Sequence, residues 1–359
     1  MKLLYITNGI NGSGGLERVL SIKASYVADA LGYEVHILVL NNTDQNRFYF
    51  FSEKIQFHSI DVGGNTISYF LSYKKGIQKI VDQINPKIIL VCDDGLKGFF
   101  LPTIIKSNAK WIYERHASQE LNRQAGLKGK FSTKLMRHHA SKFHRFVVLT
   151  NANKTEWTSA NVEVIPNPLS FYPKESSALD SKRIIVVGSH SYNKSYDNLL
   201  KIWKNIETKY PDWKLDVFGK IDRDETYVKM AKELNLKSVA FHQPVTDIQK
   251  EYLHSSMLLL PSRSEGFGMV LIEAMACGVP CISFDCPSGP RDIINNGIDG
   301  ILVENQNLEH FENAIIHLIE KREQRAKMGL EAKENVQKYL PERIVKQWNE
   351  LFLKTINND

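Results

Sequence analysis

The sequence predicts an α/β protein built from two successive Rossmann-like units, each a parallel sheet covered by helices. Three observations carry that prediction. The chain has 359 residues, more than a single core of about 250–300 residues supports. Short β-branched runs alternate with helical patterns, the mark of a helix-covered parallel sheet. The alternation stops at Ile165-Pro166-Asn167-Pro168, passes through a segment rich in Ser, Pro and charge over 170–181, and then starts again.

In the first half, strands are read over 2–7, 35–40, 55–59, 87–91, 110–113, 145–149 and 162–165, with the clearest helices over 16–31 and 66–81. After the linker segment, strands are read over 184–187, 215–218, 239–241, 257–260, 281–284 and 301–303. From Leu308 onward the pattern is almost entirely helical. Pro341 opens the last helix, as proline favours the first helical position, and Trp348, Leu351 and Phe352 give that helix an apolar face to bury. The expected domains are 1–167 together with about 342–359, and 168–341, with the carboxyl ends of both sheets facing an intervening cleft.

Composition excludes several classes. No run of about 18 apolar residues is present, so no membrane span is expected. The opening run breaks at Asn8-Gly9 and reads as a first buried strand rather than a secretion signal, which points to the cytoplasm. Cys92, Cys277, Cys281 and Cys286 lack zinc-type spacing and read as buried thiols. Residues 1–166 hold 21 Lys/Arg against 13 Asp/Glu, while the remainder is slightly acidic. The excess gathers between Arg123 and Arg145, with seven Lys/Arg, three His and no acid, interspersed with Leu127, Phe131, Leu135, Met136 and Phe143. That stretch is either a basic surface for anionic lipid on the inner face of the plasma membrane or a solvated basic helix face. No binding module accompanies it, so nucleic acid is not the expected partner.

Two glycine-bearing turns carry the chemistry. The strand over 2–7 runs into Asn8-Gly9-Ile10-Asn11-Gly12-Ser13-Gly14-Gly15 and then a helix, a turn that presents free N–H groups and the positive end of a helix dipole. A nicotinamide fingerprint would want an acid at the end of the next strand. That strand ends at Leu40-Asn41-Asn42, which argues against an oxidoreductase. The second turn is Pro261-Ser262-Arg263-Ser264-Glu265-Gly266-Phe267-Gly268, between a strand and an apolar helix that carries Glu273 one turn in. Two carboxylates there suit sugar and ribose hydroxyls, and the N–H groups at the helix start suit a diphosphate. A carboxylate in a run as apolar as 270–276 also demands a partner.

These residues resemble glycosyltransferase family 4, of the GT-B fold. The resemblance rests on Glu265 and Glu273 eight positions apart, and on Gly14-Gly15 with Glu17-Arg18. It extends through Pro166-Asn167-Pro168, Ala276-Cys277-Gly278-Val279-Pro280, Ser288-Gly289-Pro290 and the Asn296-Gly297 and Gly300 turn, nearly the whole chain. It implies two Rossmann-like domains, with the C-terminal helix packing back on the first. It also implies transfer of a hexose or N-acetylhexosamine from a nucleotide-sugar, most often a UDP-sugar, with retention and without a metal or other cofactor. Glu265 would contact donor-sugar hydroxyls and Glu273 the ribose. Gly266, Phe267 and Gly268 would offer backbone contacts, Gly14 and Gly15 would close over the donor, and Lys194 would neutralise the departing diphosphate. The family's arginine before that lysine is Ser189 here, and the following glycine is Ser195. One of two cations is therefore missing, with Arg263 and Arg291 as candidate replacements. His116 is the candidate proton carrier, with Glu114, Arg115 and Glu120 beside it; a structural histidine is the competing reading. Asp93-Asp94 reads as a helix cap or an acceptor contact rather than a metal pair. The implied acceptor is a surface or capsular glycan, free or lipid-linked. A degenerate nucleotide-sugar-binding protein and a nucleotide-sugar epimerase are the rivals.

Overall fold

The computed structural model describes residues 1–41, 46–118, 127–157 and 161–357. The chain divides into two compact units, Met1–Ser170 with Pro341–Asp359, and Phe171–Leu340. The first unit holds strands β1 (Lys2–Thr7), β2 (Glu34–Leu40), β3 (Gln56–Ile60), β4 (Ile88–Cys92), β5 (Lys110–Glu114), β6 (Arg145–Val148) and β7 (Val162–Val164). They form one parallel sheet in the order β3-β2-β1-β4-β5-β6-β7, with Tyr5 of β1 opposite both Ile37 and Leu90. β4 is buried along its whole length, as expected of a central strand covered on both faces. Burial of each such Ile or Leu contributes about 1.5–3 kcal/mol.

The helix Gly15–Ala30 follows β1, and Thr66–Ile84 follows β3. The latter extends one turn beyond the 66–81 pattern. Asn65 caps its start by accepting from the N–H groups of Ile67 and Ser68, and Asn85, at φ 48°, ends it in the left-handed conformation. The last helix, Pro341–Asn357, packs against Gly15–Ala30. Trp348 from it is buried, with the Lys23 ammonium 4.1 Å from its ring centre.

The second unit holds β8 (Arg183–Val187), β9 (Lys214–Phe218), β10 (Val239–His242), β11 (Met257–Leu260), β12 (Cys281–Asp285) and β13 (Gly300–Glu304). They too are parallel, in the order β10-β9-β8-β11-β12-β13. The Ser- and Pro-rich segment before β8 is bonded onto this unit. Ser177 donates from its N–H to the Cys277 carbonyl at 2.8 Å and from its hydroxyl to the Ser255 carbonyl at 2.7 Å, and Leu179 is buried.

All four cysteines are free and buried. Among the described residues no helix is long and apolar enough to cross a membrane. Of the basic stretch 123–145, Arg123 and the side chains of Lys128, Lys130 and Phe131 lie outside the described residues, as does Glu120. Lys134, Arg137 and Lys142 are exposed, whereas Met136 and Phe143 sit in the core.

Candidate active site

Each sheet reverses its strand order once, between β1 and β4 and between β8 and β11. Loops leaving the carboxyl ends of such a strand pair diverge to opposite faces and open a crevice, the usual place for a ligand on an open α/β sheet.

In the second unit the loops after β8 and β11 are tied together. Asn193 donates from its side chain to the Ser264 carbonyl at 2.6 Å, and Arg263 donates from its N–H to the Asn193 carbonyl at 2.8 Å. Lys194 Nζ donates to Glu265 Oε1 at 2.6 Å, with the two side chains 20% and 11% exposed. The pair is thus desolvated enough to be strong and open enough to change partners. Ser288 donates to the Glu265 carbonyl, which fixes that residue's backbone.

Two glycines are required by this geometry. Gly268 caps the helix Met269–Ala276 at φ 99°, a conformation costly for a side chain, and supplies no side-chain oxygen to its N–H groups. Gly289 lies at φ 99°, where a Cβ would stand 2.2 Å from the Phe267 carbonyl. Phe267 is itself buried against Tyr339, ring centres 5.5 Å apart, so its side chain is committed to the core. Gly266 is half-buried beside it.

Glu273 is fully buried in the same helix and accepts from the Tyr252 hydroxyl at 3.3 Å. The structure therefore gives Glu265 and Glu273 different partners. Ser189 is exposed. The two candidate replacement arginines are both held by aspartates. Arg263 makes a two-pronged contact with Asp197 at 3.0 and 2.8 Å, and Arg291 does so with Asp285 at 2.8 and 2.9 Å. Burial would raise the Asp197 carboxyl, but its bonds with Arg263 hold it below the usual range. Asp197 lies 66 positions from Arg263, and nothing local in the sequence marks it.

In the first unit, Gly14 caps the helix Gly15–Ala30 without a side-chain bond, and both Gly14 and Gly15 are exposed. Glu17 folds back over this turn. A Cβ on Gly12 or Gly14 would stand 2.5 or 2.6 Å from a Glu17 carboxylate oxygen. Beside it, a pocket of about 570 Å³ opens at the ends of β1 and β4, lined by Asn8, Glu17, Asp93, Asp94 and Lys97 among others. Asp93 accepts from the Gly95 N–H at 2.7 Å and from the Asn8 side chain at 2.9 Å. Burial raises its carboxyl above the ordinary range. Asp94 accepts from the N–H groups of His116 and Ala117 at 2.9 and 3.1 Å.

His116 Nε2 lies 3.4 Å from Glu114 Oε1. Glu114 is also held by Lys23, both side chains being 1% exposed. Burial alone would raise Glu114, yet the charges of Lys23 and then His116 hold it well below the usual carboxylate range. The donor atoms of Cys92, Glu114 and His116 lie within 4.8 Å of one another. The Lys23 ammonium already supplies the positive charge there, and burial pushes the Cys92 thiol up and away from the thiolate a metal would want. Lys23 was not singled out in the sequence, and Trp348 was read only as part of an apolar helix face, with no sign that it meets a lysine.

Residues 171–335 match the family model of glycosyl transferases group 1. The chain is a glycosyltransferase. It is similar to an uncharacterized glycosyltransferase of Haemophilus influenzae, 29% identical with 97% of this chain and 98% of that protein covered. It is equally similar to the amylovoran biosynthesis glycosyltransferase AmsD of Erwinia amylovora, 29% identical over 98% and 99%. Among solved structures, a mutant of Staphylococcus aureus TarM, in complex with fondaparinux, α-GlcNAc-glycerol and UDP, aligns over 98% of this chain and 99% of its own. The TM-score is 0.83 at 16% identity, a likeness of fold. Both units are accordingly Rossmann-like domains of the GT-B type.

Proposed function

We propose that the glycosyltransferase moves a hexose or N-acetylhexosamine from a nucleotide-sugar, UDP foremost, onto a glycan or lipid-linked glycan during surface polysaccharide assembly, with retention and without a metal. The name of AmsD, a glycosyltransferase of amylovoran biosynthesis, supports the polysaccharide setting, and the UDP in TarM supports the nucleotide. The observation that carries the reading is the Lys194–Glu265 pair at the β8/β11 crevice, beside a helix start with uncapped N–H groups.

An incoming donor supplies both partners that this pair now finds in each other. Its diphosphate takes Lys194 and the helix N–H groups, and its sugar hydroxyls donate to Glu265. The bond from the anomeric carbon to the phosphate oxygen breaks while the acceptor oxygen bonds to that carbon on the same face. The acceptor proton passes to the leaving phosphate. Lys194 offsets the charge that develops, and no side-chain nucleophile is required. Peripheral contact with anionic lipid through 123–145 belongs to the same reading, the exposed Lys134, Arg137 and Lys142 supporting it.

The test is release of UDP and formation of a glycoside from a panel of UDP-sugars and oligosaccharide acceptors. Turnover abolished by Glu265→Ala supports the proposal. Interconversion of free UDP-sugars without an acceptor would make the protein an epimerase. Donor binding without turnover would make it a degenerate binding protein, a rival that the absence of an arginine at Ser189 favours.

A further inference from the structure

Helix Thr66–Ile84 buries one stripe, Tyr73, Ile77, Ile80 and Ile84, against the first unit. Its first two turns carry a second apolar stripe that the unit leaves uncovered. Ile67, Phe70 and Leu71 are 72%, 46% and 59% exposed, and their spacing of i, i+3, i+4 places them side by side. Scattered apolar residues on a surface need no explanation, but three large ones adjoining on one helix start do. The next position on the stripe is Lys74, with Lys75 beside it, both exposed. Between Asp61 and Asp82 the chain contains no acid and adds Lys79. An apolar tip with a basic flank is the pattern of a surface helix that dips into the headgroup region of an anionic bilayer.

The position of the patch fits that occupant. Lys97 donates to the Tyr69 hydroxyl at 3.1 Å and also lines the pocket at the ends of β1 and β4. The exposed tip therefore adjoins the crevice of the first unit. By contrast, Met136 and Phe143 of the basic stretch 123–145 are buried and leave it no comparable apolar tip among the described residues.

We propose that the first two turns of helix Thr66–Ile84 are a membrane-docking element, with Ile67, Phe70 and Leu71 inserting among acyl chains and Lys74 and Lys75 meeting anionic headgroups. This goes beyond the reaction, since docking requires no donor. It gives a lipid-linked acceptor a route to the adjoining pocket.

Co-sedimentation with phosphatidylglycerol/phosphatidylcholine vesicles tests it, using the full chain at two salt concentrations. The wild type pellets with the anionic vesicles, and less so at high salt. Ile67→Ser/Phe70→Ser/Leu71→Ser lowers the partition coefficient at least tenfold. Lys74→Glu/Lys75→Glu lowers it by more than the roughly fivefold expected for each lysine lost near the surface. The lysine variant alters only exposed charge and so separates loss of docking from loss of fold. UDP release with a water-soluble acceptor stays at the wild-type level in both, which keeps this test apart from that of the reaction. The proposal is overturned if the wild type ignores anionic vesicles, or if the triple variant binds them as the wild type does. It is equally overturned if the wild type is a dimer that the triple variant splits while vesicle binding persists, because the patch would then be a contact between copies.

Discussion

The two units differ in how deeply they hide their ion pairs. At the β8/β11 crevice, Lys194 and Glu265 keep 20% and 11% of their surface. At the ends of β4 and β5, Glu114 and Lys23 keep 1% each, with Trp348 closing over the lysine. Removing one member of a fully buried pair leaves a charge that nothing can hydrate, whereas a half-buried pair can exchange its partner for a ligand. The same chemistry is thus a rivet in one unit and, under the proposed function, a receptor in the other.

The sharpest way to break this contrast is Glu114→Gln, which strands the Lys23 charge. Unfolding of the first unit in urea should become easier by about 3–5 kcal/mol. The pH dependence has a definite sign. The folded Glu114 carboxyl lies below its ordinary value, so the stability it contributes is present above that ordinary value and is lost as pH falls toward the folded one. The gap between wild type and variant should therefore be full at neutrality and narrow only below about pH 4. A gap that is constant with pH would refute the charge argument.

Lys194→Ala should act on rate instead. We expect kcat for UDP release to drop about 100- to 1,000-fold, as for loss of one stabiliser of developing charge, with thermal stability nearly unchanged. A large fall in Tm would make this pair a rivet as well. Trp348→Leu should lower stability by about 1–3 kcal/mol through lost packing and the lost contact with Lys23, read by thermal denaturation with turnover per folded molecule unaffected. Smallest is Arg291→Ala. Its pair with Asp285 is exposed, so stability should move by less than about 0.5 kcal/mol. A marked fall in kcat there would identify Arg291 as the cation that replaces the missing one.

The sequence made the sheet legible because central parallel strands are continuous apolar runs. β1 and β11 begin and end where the pattern predicts, and the other strands differ by a residue at one or both ends, where hydrogen bonding rather than hydropathy sets the edge. Glu265 was legible because it sits at a glycine-bearing turn after a strand, and Lys194 only through the family resemblance. Their mutual bond was not, since the two lie 71 positions apart. Lys23 with Glu114, 91 positions apart, and Arg263 with Asp197 stayed hidden for the same reason. An isolated charge on a buried helix face announces that it needs a partner but not which one. The exposed apolar tip of helix Thr66–Ile84 was invisible because hydropathy alone cannot tell which of two apolar stripes the sheet covers.

The return of the last helix to the first unit has a consequence for how the chain matures. Phe171–Leu340 is contiguous, so a ribosome can release it ready to fold. The earlier unit has every strand by then but still lacks Trp348, and its Lys23 stays uncovered on that side until the final helix emerges. The part of the protein made first is thus the part finished last, and a nascent chain stalled before Pro341 should present a folded distal half and a loose proximal one.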